Sequence, residues 1–190
     1  MTALDRLASA LNRRDEVPNQ ELARDLAQRK DKAGIKEVAA GLRHSDPAIQ
    51  ADCIKVLYEI GAIEPKLIGP YAAEFVRLLT SKNNRLVWGG MTALAAIAET
   101  QAAALFQHLD AIKAATDAGS VITSDQGVRT LARMAAGDDA RRRAIFPYLL
   151  IRLARARPKD VPQHAEQSLR AVDAASVSFA QPERLSSNRM

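Results

Sequence analysis

Three groups of residues in this 190-residue chain are of types that do chemistry. The first couples rings to cations and runs Lys55, Tyr58, Trp88, Thr92, Arg129, Arg170. Trp, Tyr and Arg dominate affinity at protein interfaces, because each combines a large face with a polar handle. The second group is a run of cations with no acid among them: Arg141, Arg142, Arg143, Arg152, Arg155, Arg157 and Lys159. Such a run could hold an acidic protein or the phosphates of a nucleic acid. The third comprises the ligand and nucleophile types, His44, His108, His164 and the lone Cys53.

The third group leads nowhere catalytic. There is no His-Glu dipeptide, no C-x-x-C pair, no G-x-S-x-G elbow and no phosphate-cradling glycine loop. A single cysteine excludes a disulfide scaffold. The expectation is a protein without metal, cofactor or active site. The N-terminus M-T-A-L-D-R is charged at Asp5 and Arg6 and has no apolar signal core. The longest apolar stretches, such as 144–151, fall far short of the roughly 18 residues that span a bilayer. A cytoplasmic protein with no membrane contact is expected.

What positions these side chains is a helical repeat. Hydrophobic residues make up 47% of the chain but aromatics only 4%, so the core must be Ala, Leu, Ile and Val. Gly and Pro are scarce and no alternating β-branched run occurs, so helix is expected throughout. Set 49–61 above 86–98, an offset of 37: Ile49 falls on Leu86, Cys53 on Gly90, Ile54 on Met91, Leu57 on Leu94 and Ile60 on Ile97. A second step of 37 reaches Gly127, Val128, Leu131 and Met134. A step of 38 then reaches Ala165, Leu169 and Val172. Val38, Phe75, Ile112 and Leu149 repeat likewise between these segments.

Each unit is therefore a helix, a turn and a second helix. The expected helices are 2–13, 18–30, 33–44, 47–61, 65–81, 84–99, 101–117, 122–136, 140–156 and 160–175. Asp46-Pro47 is a cap followed by a first-turn proline, and Asn84, Ser124 or Asp125, and Asp160 are further candidate starts. The repeat domain spans 1–176; the Ser-, Gln- and Arg-rich 177–190 is expected to fray. The small column Cys53, Gly90, Gly127, Ala165 marks close helix approach. Gly89 aligns with polar Asp52 and Gln126, so packing does not account for it.

The stretch D-P-A-I-Q-A-D-C-I-K-V-L-Y-E-I-G resembles the second helix of a HEAT repeat, and Pro70 and Pro147 sit where first helices of that family often carry a kinking proline. The likeness covers roughly 1–175. It departs at Gln50 and Val87, where the family has an Arg, so apolar packing must hold the stack. The resemblance implies an all-α, right-handed α-α superhelix of about five HEAT-like helix pairs, with second helices lining the concave side. At 100° per residue, Lys55, Tyr58, Trp88, Thr92, Arg129 and Arg170 then face that side. The function implied is a non-catalytic scaffold that binds a protein or peptide there. The alternative is a nucleic-acid-binding solenoid acting through the basic run. Some HEAT-like alkylpurine DNA glycosylases combine an aromatic, an Asp and basic residues, and Trp88, Asp125 and Arg129 give that reading a minor place.

Overall fold

The computed structural model of the chain describes residues 2–169, so Arg170, Val172 and the 177–190 segment lie outside the described residues. Among these, every regular element is helical. The α-helices are α1 (Val17–Gln28), α2 (Lys32–Gly41), α3 (Pro47–Ile63), α4 (Ala72–Leu78), α5 (Asn84–Ile97), α6 (Ala102–Phe106), α7 (Leu109–Ala118), α8 (Val121–Ala135), α9 (Asp139–Arg155) and α10 (Val161–Leu169). Helices α1, α3, α5, α8 and α10 lie side by side in that order as the second-helix layer. Helix α2 packs on α3, α4 on α5, and α7 on α8, while α9 packs on both α8 and α10. This is an α-solenoid.

The apolar columns read from the period form the core. Ile54, Leu57 and Ile60 of α3, Met91, Leu94 and Ile97 of α5, and Val128, Leu131 and Met134 of α8 are all buried. So are Val38, Phe75, Ile112 and Leu149 from the first-helix layer. A helix pair cannot bury its apolar stripe alone, so each unit is held by its neighbours.

The small column is a point of contact between layers. A β-carbon on Gly90 would lie 3.0 Å from Leu78 Cβ and 3.1 Å from the Phe75 carbonyl oxygen. One on Gly41 would meet Cys53 Sγ at 2.4 Å. Gly89 also has a packing role, which corrects the expectation: its β-carbon would come within 2.8 Å of Ile54 Cγ1 on the preceding second helix. Cys53 is fully buried and unpaired, and burial pushes its thiol up to about 12. Ellman's reagent at pH 8 should therefore label native protein on the order of a thousandfold more slowly than unfolded protein. Labelling at comparable rates would show that α2 and α3 part readily.

Three local expectations fail, two of them for a physical reason visible in the structure. Residues 2–13 form no α-helix, only a 3-10 turn at Leu4–Arg6. Their amides are taken by side chains of other elements: Ala3 N donates to Glu37 at 3.1 Å, Ala8 N to Asn19 at 2.9 Å and Ser9 N to Asp52 at 2.7 Å. Segment 65–81 is split into 3-10 turns at Pro65–Leu67 and Gly69–Tyr71 before α4, because each proline lacks an N–H and biases its predecessor away from helix. The 101–117 helix breaks between Phe106 and Leu109; nothing in the structure explains that break. Helix α9, by contrast, continues through Pro147, which lies on its exposed side.

The last repeat corrects the register. The step of 38 sets Leu169 on buried Leu131, but Leu169 is 68% exposed, whereas His164, Gln167 and Ser168 are buried. Those three match Gly127, Thr130 and Leu131 at a step of 37, so the period does not change. The core position is simply polar there. Asp46 caps α3 as expected, accepting from Ala48 N at 2.8 Å. The cap of α5 is Asn83 rather than Asn84, and that of α8 is Ser120, upstream of Ser124 and Asp125.

Candidate partner-binding face

The predicted face divides into a paired cluster and an open groove. Helices α3 and α5 stack close enough to bring Tyr58 and Trp88 to a ring-centroid distance of 5.6 Å, with planes tilted by 49°. Both rings are half-buried, so Trp88 is neither core nor fully free. Lys55 lies one helical turn before Tyr58 and its Nζ sits 5.0 Å from the Tyr58 ring centroid. The same nitrogen bonds Glu16 Oε2 and Glu59 Oε1, each at 2.8 Å. Lys55 is only 7% exposed, so its charge is matched inside the chain rather than presented on the surface. Burial works against this ammonium, but the two carboxylates outweigh it and its pKa is raised. The hydrogen bond from Lys55 in turn holds Glu16 below the usual carboxylate range. Thr92 donates its hydroxyl to the Trp88 carbonyl at 2.8 Å and is thereby tied to its own helix.

Beyond this cluster the second-helix layer opens. A groove of about 340 Å³ runs between α3, α5 and α8. It is lined by Tyr58, Gly61, Ala62 and Pro65 at the end of α3, Thr92, Ala95 and Ala96 of α5, and Gln126, Arg129 and Arg133 of α8. A second groove of about 370 Å³ lies on the far side of the same arginines, bounded by Gln163, Glu166 and Gln167 of α10. Arg133 donates to the Ala95 carbonyl at 2.5 Å and lies 3.7 Å from Glu99 Oε1. Arg129, half-buried between the grooves, makes no hydrogen bond or ion pair among the described residues. Sequence reasoning placed Ala95 and other small alanines on this face but missed Gly61, Ala62, Ala96, Gln126 and Arg133.

The basic run is not one patch. Arg141, Arg142 and Arg143 sit at the start of α9, and Arg152, Arg155 and Arg157 at or beyond its end. Arg141 donates to the Met134 carbonyl at 2.8 Å and lies 3.6 Å from Asp138. Arg142 pairs with Asp139 at 2.6 Å, Arg152 with Asp117 at 3.1 Å and with Ser124, and Arg157 with Asp160 at 2.6 Å. Arg143 and Arg155 are exposed and make no such pair among the described residues. Asp117 also accepts from the Tyr148 hydroxyl at 2.9 Å, and burial with this carboxylate raises the Tyr148 pKa. The run is free of acids only in sequence. Chain folding and the flanking turns supply four aspartates.

Trp88 and Asp125 share a repeat column but not a site. Asp125 Oδ1 bonds His164 Nε2 at 2.7 Å beside a cavity of about 250 Å³ near α8, α9 and α10, while Trp88 faces Tyr58. Among the described residues no group of three or more His, Cys, Asp and Glu is placed to hold a metal ion. No helix there is long and apolar enough to cross a membrane.

No protein-family model and no curated protein matches the chain. Solved structures do. An engineered protein superposes with a TM-score of 0.67 at 22% identity, over 89% of this chain and 78% of the other. A designed armadillo repeat protein in complex with the peptide (KR)4 superposes at 0.66 and 16% identity, over 81% of this chain and 69% of that one. A second engineered protein gives 0.62 at 22% identity, over 89% and 80%. At these identities the likeness concerns the fold, which is that of an armadillo/HEAT-like helical repeat solenoid.

Proposed function

We propose that this chain is a non-catalytic interaction module that grips a protein segment along the second-helix layer, the side that the HEAT likeness reads as concave. The observation that carries this reading is the groove between α3, α5 and α8, whose lining combines glycine and alanine with the Tyr58 ring and the Arg129 and Arg133 guanidiniums. Small residues let a main chain approach closely, and the lining offers the ring and guanidinium that make hot spots. A fold of the same kind carries a bound peptide in the designed armadillo protein. Of the residues expected on this face, Tyr58, Trp88 and Arg129 remain available to a partner; Lys55 lies against the Tyr58 ring, and Thr92 is bonded within its own helix.

The reading is tested on Trp88. Because the ring is half-buried, Trp88→Ala should cost about 1–2 kcal/mol in urea denaturation, below the 3–5 typical of a core aromatic. The same variant should weaken a partner purified from the native cell at least tenfold in calorimetry. Unfolding of Trp88→Ala, or unchanged affinity, would remove Trp88 from the site. Because four of the six arginines of the basic run face an aspartate, titration with duplex DNA or RNA at low salt should show no binding. Strong binding that collapses steeply with salt would favour the nucleic-acid reading instead.

A further inference from the structure

We infer that the occupant of the α3–α5–α8 groove is an acidic peptide segment, in which an Asp or Glu carboxylate meets Arg129 and a neighbouring apolar side chain lies against Tyr58. This rests on the docking face proposed above and adds the chemistry of its partner. Half-buried on α8, the Arg129 guanidinium has no carboxylate or carbonyl partner among the described residues. The contrast with its surroundings is sharp. Lys55, in the same repeat column two units earlier on α3, has two carboxylates, and Arg133, one turn further along α8, has Glu99 and the Ala95 carbonyl. A partly desolvated cation without a counter-ion gains more from an incoming carboxylate than a fully hydrated one does, and its planar fork donates to both oxygens of that group.

The groove fixes the direction of approach. Glu166 borders the second groove, on the α10 side of Arg129, and Glu99 is held near Arg133 at the end of α5. On the side of the α3–α5–α8 groove no lining residue is acidic. A carboxylate therefore meets Arg129 from that side. The Gln126 amide, in the same lining, offers both a donor and an acceptor to a peptide backbone. A basic peptide would find no unpaired carboxylate in this groove.

The test is a selection of displayed random dodecapeptides on the immobilised full chain, followed by anisotropy with fluorescein-labelled copies of the enriched sequences. Ala62→Trp blocks the groove from an exposed position, and Arg129→Glu reverses the charge, with Arg129→Gln as the milder form; circular dichroism verifies folding of each. The expected result is an Asp or Glu at one fixed place in the enriched sequences. Their binding should be abolished by Ala62→Trp and weakened at least tenfold by Arg129→Glu, and equally when that acid is replaced by its amide. Peptides that need the open groove but carry no acid and ignore Arg129→Glu would overturn the inference while leaving the docking face intact. Peptides indifferent to Ala62→Trp, or no enrichment at all, would overturn both.

Discussion

Gly127→Val should destabilise the chain by about 3 kcal/mol or more, although glycine inside a helix is itself unfavourable by about 1 kcal/mol relative to alanine. A β-carbon at this position would lie 2.1 Å from Thr116 Oγ1 and 2.8 Å from both Thr116 Cβ and Cγ2. Thr116 is fully buried and its hydroxyl donates to the Ile112 carbonyl at 2.7 Å, so it has nowhere to turn. Rotating its side chain would move the hydroxyl and methyl but not Cβ. Helix α7 must therefore shift away from α8, opening the interface on which the repeat depends. Gly127→Ala should cost less, about 1–3 kcal/mol, because the gain in helix propensity offsets part of the clash. Removing the clashing side chain from the other side tests the cause. Thr116→Gly in the Gly127→Ala background should recover at least 1 kcal/mol by urea denaturation, a coupling of the size seen for residues in contact. Strict additivity of the two changes would mean that the glycine column does not set the spacing of the layers.

Reversing the charge at Lys55 should be nearly as damaging. Lys55→Glu removes the ammonium shared by Glu16 and Glu59 and places a third carboxylate beside them. Breaking a buried pair costs about 3–5 kcal/mol. The lower figure applies here, because the Glu16 and Glu59 side chains are 44% and 32% exposed and can rehydrate. The response to pH carries the sign of the mechanism. In the natural chain Glu16 has a lowered pKa, so its share of stability is present above the usual carboxylate value and is lost as pH falls through the lowered one. The raised pKa of Lys55 makes its share present at neutral pH and lost only at strongly alkaline pH. In Lys55→Glu, a buried carboxylate between two others takes up a proton more readily folded than unfolded. Its stability should rise between pH 7 and pH 5, while that of the natural chain stays level or falls. Parallel curves would show that Lys55 acts through its packed stem alone. Lys55→Met, which keeps the stem, separates the two contributions.

The groove was only half legible. Tyr58, Trp88 and Arg129 could be placed on one face because helical spacing is a local property: residues a turn apart share a side whatever the rest of the chain does. Whether each charge on that face was free was not local. Glu59, which pairs with Lys55, is one turn away, but Glu16 comes from ahead of α1. Arg133 reaches back 38 residues to the Ala95 carbonyl, and Arg152 reaches back 35 to Asp117. These separations are close to one repeat. The period therefore says which units are neighbours, but side-chain reach decides which members of neighbouring units meet.

The last repeat shows the same division from the other side. Following apolar residues moved the alignment by one, to Ala165 and Leu169, because hydrophobicity was the only register mark available. Packing instead buried His164 and paired it with Asp125 of α8, leaving Leu169 outside. By itself the sequence determined that the chain is a stack of helix pairs, since a recurring apolar stripe can be hidden only against a copy of itself. Tertiary structure alone decided which cations are neutralised and which is left open at the groove. Those pairings arise between units roughly a repeat apart, where coulombic attraction and desolvation depend on distances that a linear pattern does not contain.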